Sequence, residues 1–97
     1  MTITEFISKA EAMFQSKSGE IYVTNFNHYY DGICMEKDNS IGGYTVYAFR
    51  EKGLIRRVTY KVLMCCMDCM DWMESPRDRA FKLLEKATQV NIEFNIE

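Results

Sequence analysis

Two β-rich runs separated by a short turn signal constrain the fold more than any other feature of this chain. Tyr44-Thr45-Val46-Tyr47-Ala48-Phe49 is rich in β-branched and aromatic residues, Glu51-Lys52-Gly53 supplies turn chemistry, and Leu54 to Leu63 is a second β-rich run. The pattern predicts an antiparallel hairpin over Gly43–Leu63. A three-residue loop sets Arg50 opposite Leu54, Phe49 opposite Ile55 and Tyr44 opposite Tyr60. In that register Tyr44, Val46, Ala48, Val58, Tyr60 and Val62 share a core face. Thr45, Tyr47, Phe49, Ile55, Arg57, Thr59 and Lys61 share a partly exposed one.

The flanking segments supply what can cover such a hairpin. Ile3, Phe6, Ile7, Ala10, Met13 and Phe14 recur at three- and four-residue steps, predicting a helix over Ile3–Ser16. Thr2 and Glu5 have capping-box spacing, and Ser18-Gly19 offers a stop. A strand is predicted from Glu20 to about Phe26. Asn27–Ser40 is polar and aromatic, with turn chemistry at Asp31-Gly32 and Lys37–Ser40 and room for a short hairpin arm around Asp31-Gly32. Cys65–Glu74 reads as a short helix or turn. Ser75 then caps a second helix, with Pro76 in its first position and Ala80, Phe81, Leu84, Ala87 and Thr88 as its buried stripe. From Val90 to Glu97 apolar and polar residues alternate, which predicts a final strand with an acidic outer face. The order argues for one α+β domain over 1–97, an antiparallel sheet of about four strands with two helices packed on one face. The other sheet face is left open or used for binding.

Size and charge narrow the function classes. Ninety-seven residues bury roughly 65% of the unfolded surface, enough for one modest core but not for a deep cofactor cleft. Fourteen acids against twelve bases give a net charge of −2, which excludes a strongly basic nucleic-acid binder. No apolar run approaches the ~18 residues of a membrane span. Met1–Glu5 has neither a basic nor a long apolar stretch, so a signal peptide is not expected.

Catalytic chemistry finds little footing. His28 is the single histidine and has no nucleophile placed beside it by sequence. Ile41-Gly42-Gly43 lacks the lysine and hydroxyl of a phosphate loop and precedes a strand. Neither an enzyme nor a cofactor is expected. Four cysteines, Cys34, Cys65, Cys66 and Cys69, include one C-x-x-C pair; they read as free apolar thiols or, as an alternative, as a zinc site stabilising an adaptor.

Two surface patterns remain. Tyr47 and Phe49 opposite Arg57 and Lys61 form an aromatic and basic strand pair of the kind that holds single-stranded nucleic acid. Acids cluster at Asp31, Glu36 and Asp38, at Asp68, Asp71 and Glu74, and at Glu93 and Glu97. Carboxylates at such spacings approximate the charges of a nucleic-acid backbone and suit a groove lined by lysine and arginine. Tyr29 and Tyr30 supply aromatic anchors beside the first cluster.

In length, element order and acidic clusters such as Asp68-Cys69-Met70-Asp71-Trp72-Met73-Glu74, the chain resembles the small phage-encoded anti-CRISPR proteins. That resemblance implies a monomeric inhibitor in the cytoplasm of an infected bacterium. It would bind protein subunits of a CRISPR–Cas surveillance complex and block target DNA through an acidic, DNA-mimicking surface, without binding nucleic acid or membrane itself. The contacts would come from Tyr29, Tyr30, Asp31, Glu36, Asp38, Asp68, Asp71 and Glu74. The alternative is a small nucleic-acid-binding module using the central hairpin.

Overall fold

The computed structural model describes residues 1–23, 29–52, 55–67 and 74–95, with side chains for all of these except 52 and 55–60. Two helices and a four-stranded antiparallel sheet form the α+β fold predicted. In chain order the elements are α1 (Ile3–Ser16), β1 (Gly19–Tyr22), β2 (Gly32–Asp38), β3 (Gly43–Lys52), β4 (Ile55–Met67) and α2 (Pro76–Gln89). The strands lie in the sheet in that same order, β1-β2-β3-β4, so each pairs with its neighbour in sequence.

Both helices begin as their caps dictate. The Thr2 hydroxyl accepts the Glu5 N–H at 3.1 Å, and the Ser75 hydroxyl accepts the Asp78 N–H at 3.1 Å, each satisfying one orphan donor of a first turn. α1 ends at Ser16 as predicted, but the residue that stops it is Lys17 and not the Ser18-Gly19 pair. Lys17 itself takes the left-handed conformation, φ 59°, and closes the helix. On α2 the buried stripe is Arg79, Ala80, Leu83 and Ala87, whereas Phe81 and Thr88 are exposed. The predicted stripe was rotated; Leu83, three after Ala80 and four before Ala87, is the residue that completes the inward face.

The helices pack on one side of the sheet. Phe6, Ile7, Ala10, Met13 and Phe14 of α1 and Ala80, Leu83 and Ala87 of α2 meet Ile21, Ile33, Met35, Val46, Ala48, Leu63 and Cys66 of the sheet. This is the main core.

The central hairpin forms, but in another register. Lys52 pairs with Ile55, Phe49 with Tyr60 and Tyr44 with Cys66, so β4 runs on to Met67. Cys65–Met67 is therefore strand rather than helix or turn. A bulge between Val46 and Tyr47 adds a residue on β4: Val46 faces Met64 while Tyr47 faces Val62, leaving Leu63 between them. The change of register moves Val62 to the opposite face, while the β3 residues keep their predicted faces and differ only in burial. Val62, expected in the core, is 52% exposed, whereas Tyr47 and Phe49, expected to be partly exposed, are 7% and 0% exposed.

Two other segments differ from their sequence signals. β2 comes from the polar Asn27–Ser40 stretch, with Gly32 beginning a strand instead of forming a turn. The predicted first strand is described only as Gly19–Tyr22, followed by a Val23 N–H bond to the Asp31 carbonyl at 2.8 Å; Thr24 to Phe26 lie outside the described residues. At the C-terminal end the alternation governs burial but, among the described residues, builds no ladder. Asn91, at φ 65°, turns the chain after α2. Ile92 is buried in the main core and the Phe94 ring packs on Phe6 at 4.8 Å between centroids. One parallel bridge, Thr2 to Asn95, takes the place of the predicted strand, and Ile96 and Glu97 lie outside the described residues.

Candidate functional site

Alternation along the strands divides the sheet into a helix-covered face and one that, among the described residues, is helix-free. Glu20 and Tyr22 of β1, Cys34, Glu36 and Asp38 of β2, Thr45, Tyr47, Phe49 and Glu51 of β3, and Val62, Cys65 and Met67 of β4 belong to the second. Its centre is closed. Cys34, Tyr47 and Phe49 form a small buried cluster of their own, without a residue from either helix. Gly32 makes this possible. With no side chain on β2 at that position, the Tyr22 and Phe49 rings meet edge to face across it, 5.4 Å between centroids. A Cβ on Gly32 would lie 2.8 Å from Phe49 Cζ and 2.5 Å from the Ile21 carbonyl oxygen.

Around this aromatic centre the rim is acidic. The Tyr22 hydroxyl lies 3.0 Å from Glu20 Oε2 and 3.3 Å from Glu51 Oε1, bringing together two acids that are distant in sequence. Glu36 accepts a hydrogen bond from the Tyr47 hydroxyl. Burial, reinforced by that bond, raises the Tyr47 pKa and keeps the phenol protonated as a donor. Asp38 caps the β2–β3 turn: its carboxylate accepts Ser40 Oγ at 2.5 Å, Ser40 N–H at 3.0 Å and Thr45 Oγ1 at 2.9 Å. The Ser40 hydroxyl, the Thr45 hydroxyl and the Ser40 amide together hold the Asp38 pKa below the usual carboxylate range. Among the side chains described on this face, the charged ones are Glu20, Glu36, Asp38 and Glu51, all carboxylates. Exposed Tyr22, Val62 and Met67 supply apolar surface beside them.

The predicted contact residues divide among three places. Glu36 and Asp38 lie on this acidic face. Tyr29 and Tyr30 pack edge to face at 5.0 Å, with the Arg50 guanidinium 4.5 Å from the Tyr29 ring centroid. Tyr29 is exposed, while Tyr30 packs against the main core. Asp31 is a structural residue. Its carboxylate accepts the Glu51 N–H at 2.6 Å, its own N–H donates to the Phe49 carbonyl at 2.8 Å and its carbonyl accepts from Val23. Glu74 stands apart beside α2, ion-paired with Lys82 and 3.8 Å from Arg79, so its charge is compensated locally. Asp68 and Asp71 lie outside the described residues.

Glu20, Tyr22, Glu51, Val62 and Met67 of this face are not among the contact residues that sequence reasoning picks out. Glu20 and Tyr22 had a signal, the two-residue step of a strand. Glu51 has none, because Glu51-Lys52-Gly53 reads as turn.

The other two constellations fare less well. Phe49 exposes no surface on which a base could stack and Tyr47 almost none, while Lys61, opposite Ala48, falls on the other side of the sheet from both; the Arg57 side chain lies outside the described residues. Cys65 and Cys66 are consecutive in one strand and point to opposite faces, so they cannot converge on a single ion. Cys34 is buried in the aromatic cluster, and Cys69 and His28 lie outside the described residues. No helix among the described residues is long and apolar enough to cross a membrane. Comparison with models of protein families, with curated proteins and with solved structures finds no match to this chain.

Proposed function

We propose that this protein is a non-enzymatic inhibitor that presents the acidic, helix-free sheet face to a cationic protein surface that otherwise holds nucleic acid. In keeping with the resemblance to anti-CRISPR proteins, the surface belongs to a CRISPR–Cas surveillance complex, and occupying it keeps target DNA out. One observation carries the reading: the charged side chains described on that face are carboxylates only, set around exposed Tyr22, Val62 and Met67. Glu36 and Asp38 stand about 6.7 Å apart along β2, a regular row of negative charge on a rigid strand. Apolar side chains among the acids supply contact area that steering charges alone do not.

The contact set is accordingly Glu20, Tyr22, Glu36, Glu51, Val62 and Met67. Asp38 contributes its charge while serving the turn. The experiment is a mobility-shift competition between the protein and target DNA for a purified surveillance complex, run at rising salt. Wild type displaces DNA at low salt and progressively less as salt rises. The triple variant Glu20→Lys, Glu36→Lys, Glu51→Lys stays folded and loses displacement. Displacement by the triple variant equal to wild type would discard this face. Failure of wild type to displace DNA from the complexes tested would discard the DNA-excluding role.

A further inference from the structure

We propose that Asp31 is a positioning residue of the acidic face: acting through the backbone of Glu51, it holds the Glu51 carboxylate against Tyr22, and it does so without touching the partner. The proposal rests on the reading given under Proposed function, in which Glu51 is a contact.

Both neighbouring strands pass Glu51 over. On one side the β2–β3 register ends at Gly32 and Phe49, two residues before it. On the other, β4 sets Thr59 opposite Arg50 and Ile55 opposite Lys52, and the register breaks between them. Glu51 therefore belongs to β3 but falls outside the pairs that align its neighbours. Its N–H donates instead to the Asp31 carboxylate at 2.6 Å. A charged acceptor makes such a bond short and roughly twice as strong as a neutral one. A side chain at the start of β2 thus supplies the acceptor that the strand register stops short of supplying.

Asp31 is also tied through its own backbone to the strands on both sides. Its N–H donates to the Phe49 carbonyl at 2.8 Å, and its carbonyl accepts the Val23 N–H at 2.8 Å. Val23 follows Tyr22 directly, and Phe49 precedes Glu51 by two residues. One residue therefore fixes the ends of β1 and β3 relative to each other. Those ends carry the side chains that meet: the Tyr22 hydroxyl lies 3.3 Å from Glu51 Oε1 and 3.0 Å from Glu20 Oε2. The Tyr22 ring is itself set edge to face on Phe49. With Tyr22 held by its ring, a shift of the Glu51 backbone separates the two side chains. A binding constellation keeps its geometry only when such supporting bonds hold it. The sequence places Asp31 among the contacts; its hydrogen bonds direct it into the chain, where it serves a contact it does not make.

The test joins a readout that needs no partner to the displacement assay. In NMR spectra of the full chain, Asp31→Ala moves the Glu51 amide and Tyr22 ring resonances, and Asp31→Asn, which keeps an oxygen acceptor, returns them towards wild type. Displacement of DNA follows the same order. Asp31→Ala weakens it about two- to fivefold, the scale of one exposed charge, and Asp31→Asn recovers it. Glu51→Gln weakens displacement to the same extent, and adding Asp31→Ala to Glu51→Gln brings no further loss. A residue that only stabilised the fold would add its loss to that of Glu51→Gln. Three results overturn the proposal: Glu51 and Tyr22 resonances that Asp31→Ala leaves in place, an Asp31→Ala loss that is the same with Glu or Gln at position 51, or an Asp31→Asn variant as weak as Asp31→Ala, which would make the Asp31 charge itself a contact. Should Asp31→Ala not fold, wild type decides. A scalar coupling across the hydrogen bond, from the Glu51 amide nitrogen to the Asp31 carboxyl carbon, is expected, and its absence overturns the proposal. Wild type that displaces no DNA would discard the DNA-excluding role, while the resonances and the coupling would still decide whether Asp31 sets Glu51.

Discussion

The two faces of this sheet bury side chains by different means. On one, two capped helices bring eight buried apolar residues down onto Ile21, Ile33, Met35, Val46 and Ala48, and burial follows from amphipathic periodicity. On the other, neither α1 nor α2 contributes, yet Phe49 is as inaccessible as Leu83. Its shelter is built from strand neighbours: a missing side chain at Gly32, the edge of the Tyr22 ring and the adjoining Tyr47. The helix-covered face needs a layer. The helix-free face needs one glycine in the right register, and keeps its rim free for carboxylates.

The sharpest way to break this comparison is to cut a large side chain from each face. Leu83→Ala removes a fully buried residue from the helix layer and should cost about 2–5 kcal/mol; Phe49→Ala should cost about 3–5 kcal/mol. Urea unfolding followed by circular dichroism measures both. A Phe49→Ala loss below about 0.5 kcal/mol would mean the helix-free face is an ordinary solvent face without a core of its own. Val62→Ala on the same face supplies the contrast, with an expected change in monomer stability within about 0.5 kcal/mol.

A smaller effect separates the two supports of Phe49. Gly32→Ala drives a methyl group towards both the Phe49 ring and the Ile21 carbonyl, at an expected cost of about 1–3 kcal/mol. Placed on Phe49→Ala, the same substitution should cost less, because one of its two obstacles is gone and the neighbouring backbone remains. Additivity in that double-mutant cycle would remove Phe49 from the explanation of Gly32.

What was legible in the sequence follows the same division. α1, both N-caps and the existence of the hairpin rest on local spacing, and local spacing survives into the structure. The hairpin register does not. Its turn signal lies at Glu51–Gly53, whereas the strands pair Lys52 with Ile55 and then absorb a bulge at Leu63. Side chains alternate with a period of two, so each such step sends a side chain to the opposite face. Val62 changes face for that reason, whereas Phe49 keeps its predicted face and is buried there by Tyr22 and Tyr47. β2 was hidden because its inner residues, Ile33 and Met35, are interrupted by Cys34, Glu36 and Asp38, which a two-sided strand can carry and a turn can also use. Of the acidic site, Glu36 and Asp38 were legible as an acidic cluster. Glu20 and Glu51 converge only through Tyr22, a tertiary contact that spacing cannot encode.

The smallest expected effect concerns Asp38, the one rim acid tied into a turn. Its folded pKa is depressed by the Ser40 and Thr45 hydroxyls and the Ser40 N–H, so folding favours the carboxylate. In the unfolded chain Asp38 has no such partners and titrates near the ordinary ~3.9. Above that value both states are ionised and the contribution is fully present. As pH falls below it, the unfolded chain takes up the proton first, and the contribution fades until the folded carboxylate is protonated in turn. Stability from this group therefore rises with pH across a window lying below the usual aspartate range. Carboxyl carbon shifts followed by NMR should give an Asp38 midpoint below ~3.9, and the stability gap between wild type and Asp38→Asn should narrow as pH drops through that window. A gap that stays constant with pH would reduce Asp38 to a neutral hydrogen-bond acceptor in the turn, and leave Glu20, Glu36 and Glu51 as the charges that give the helix-free face its sign.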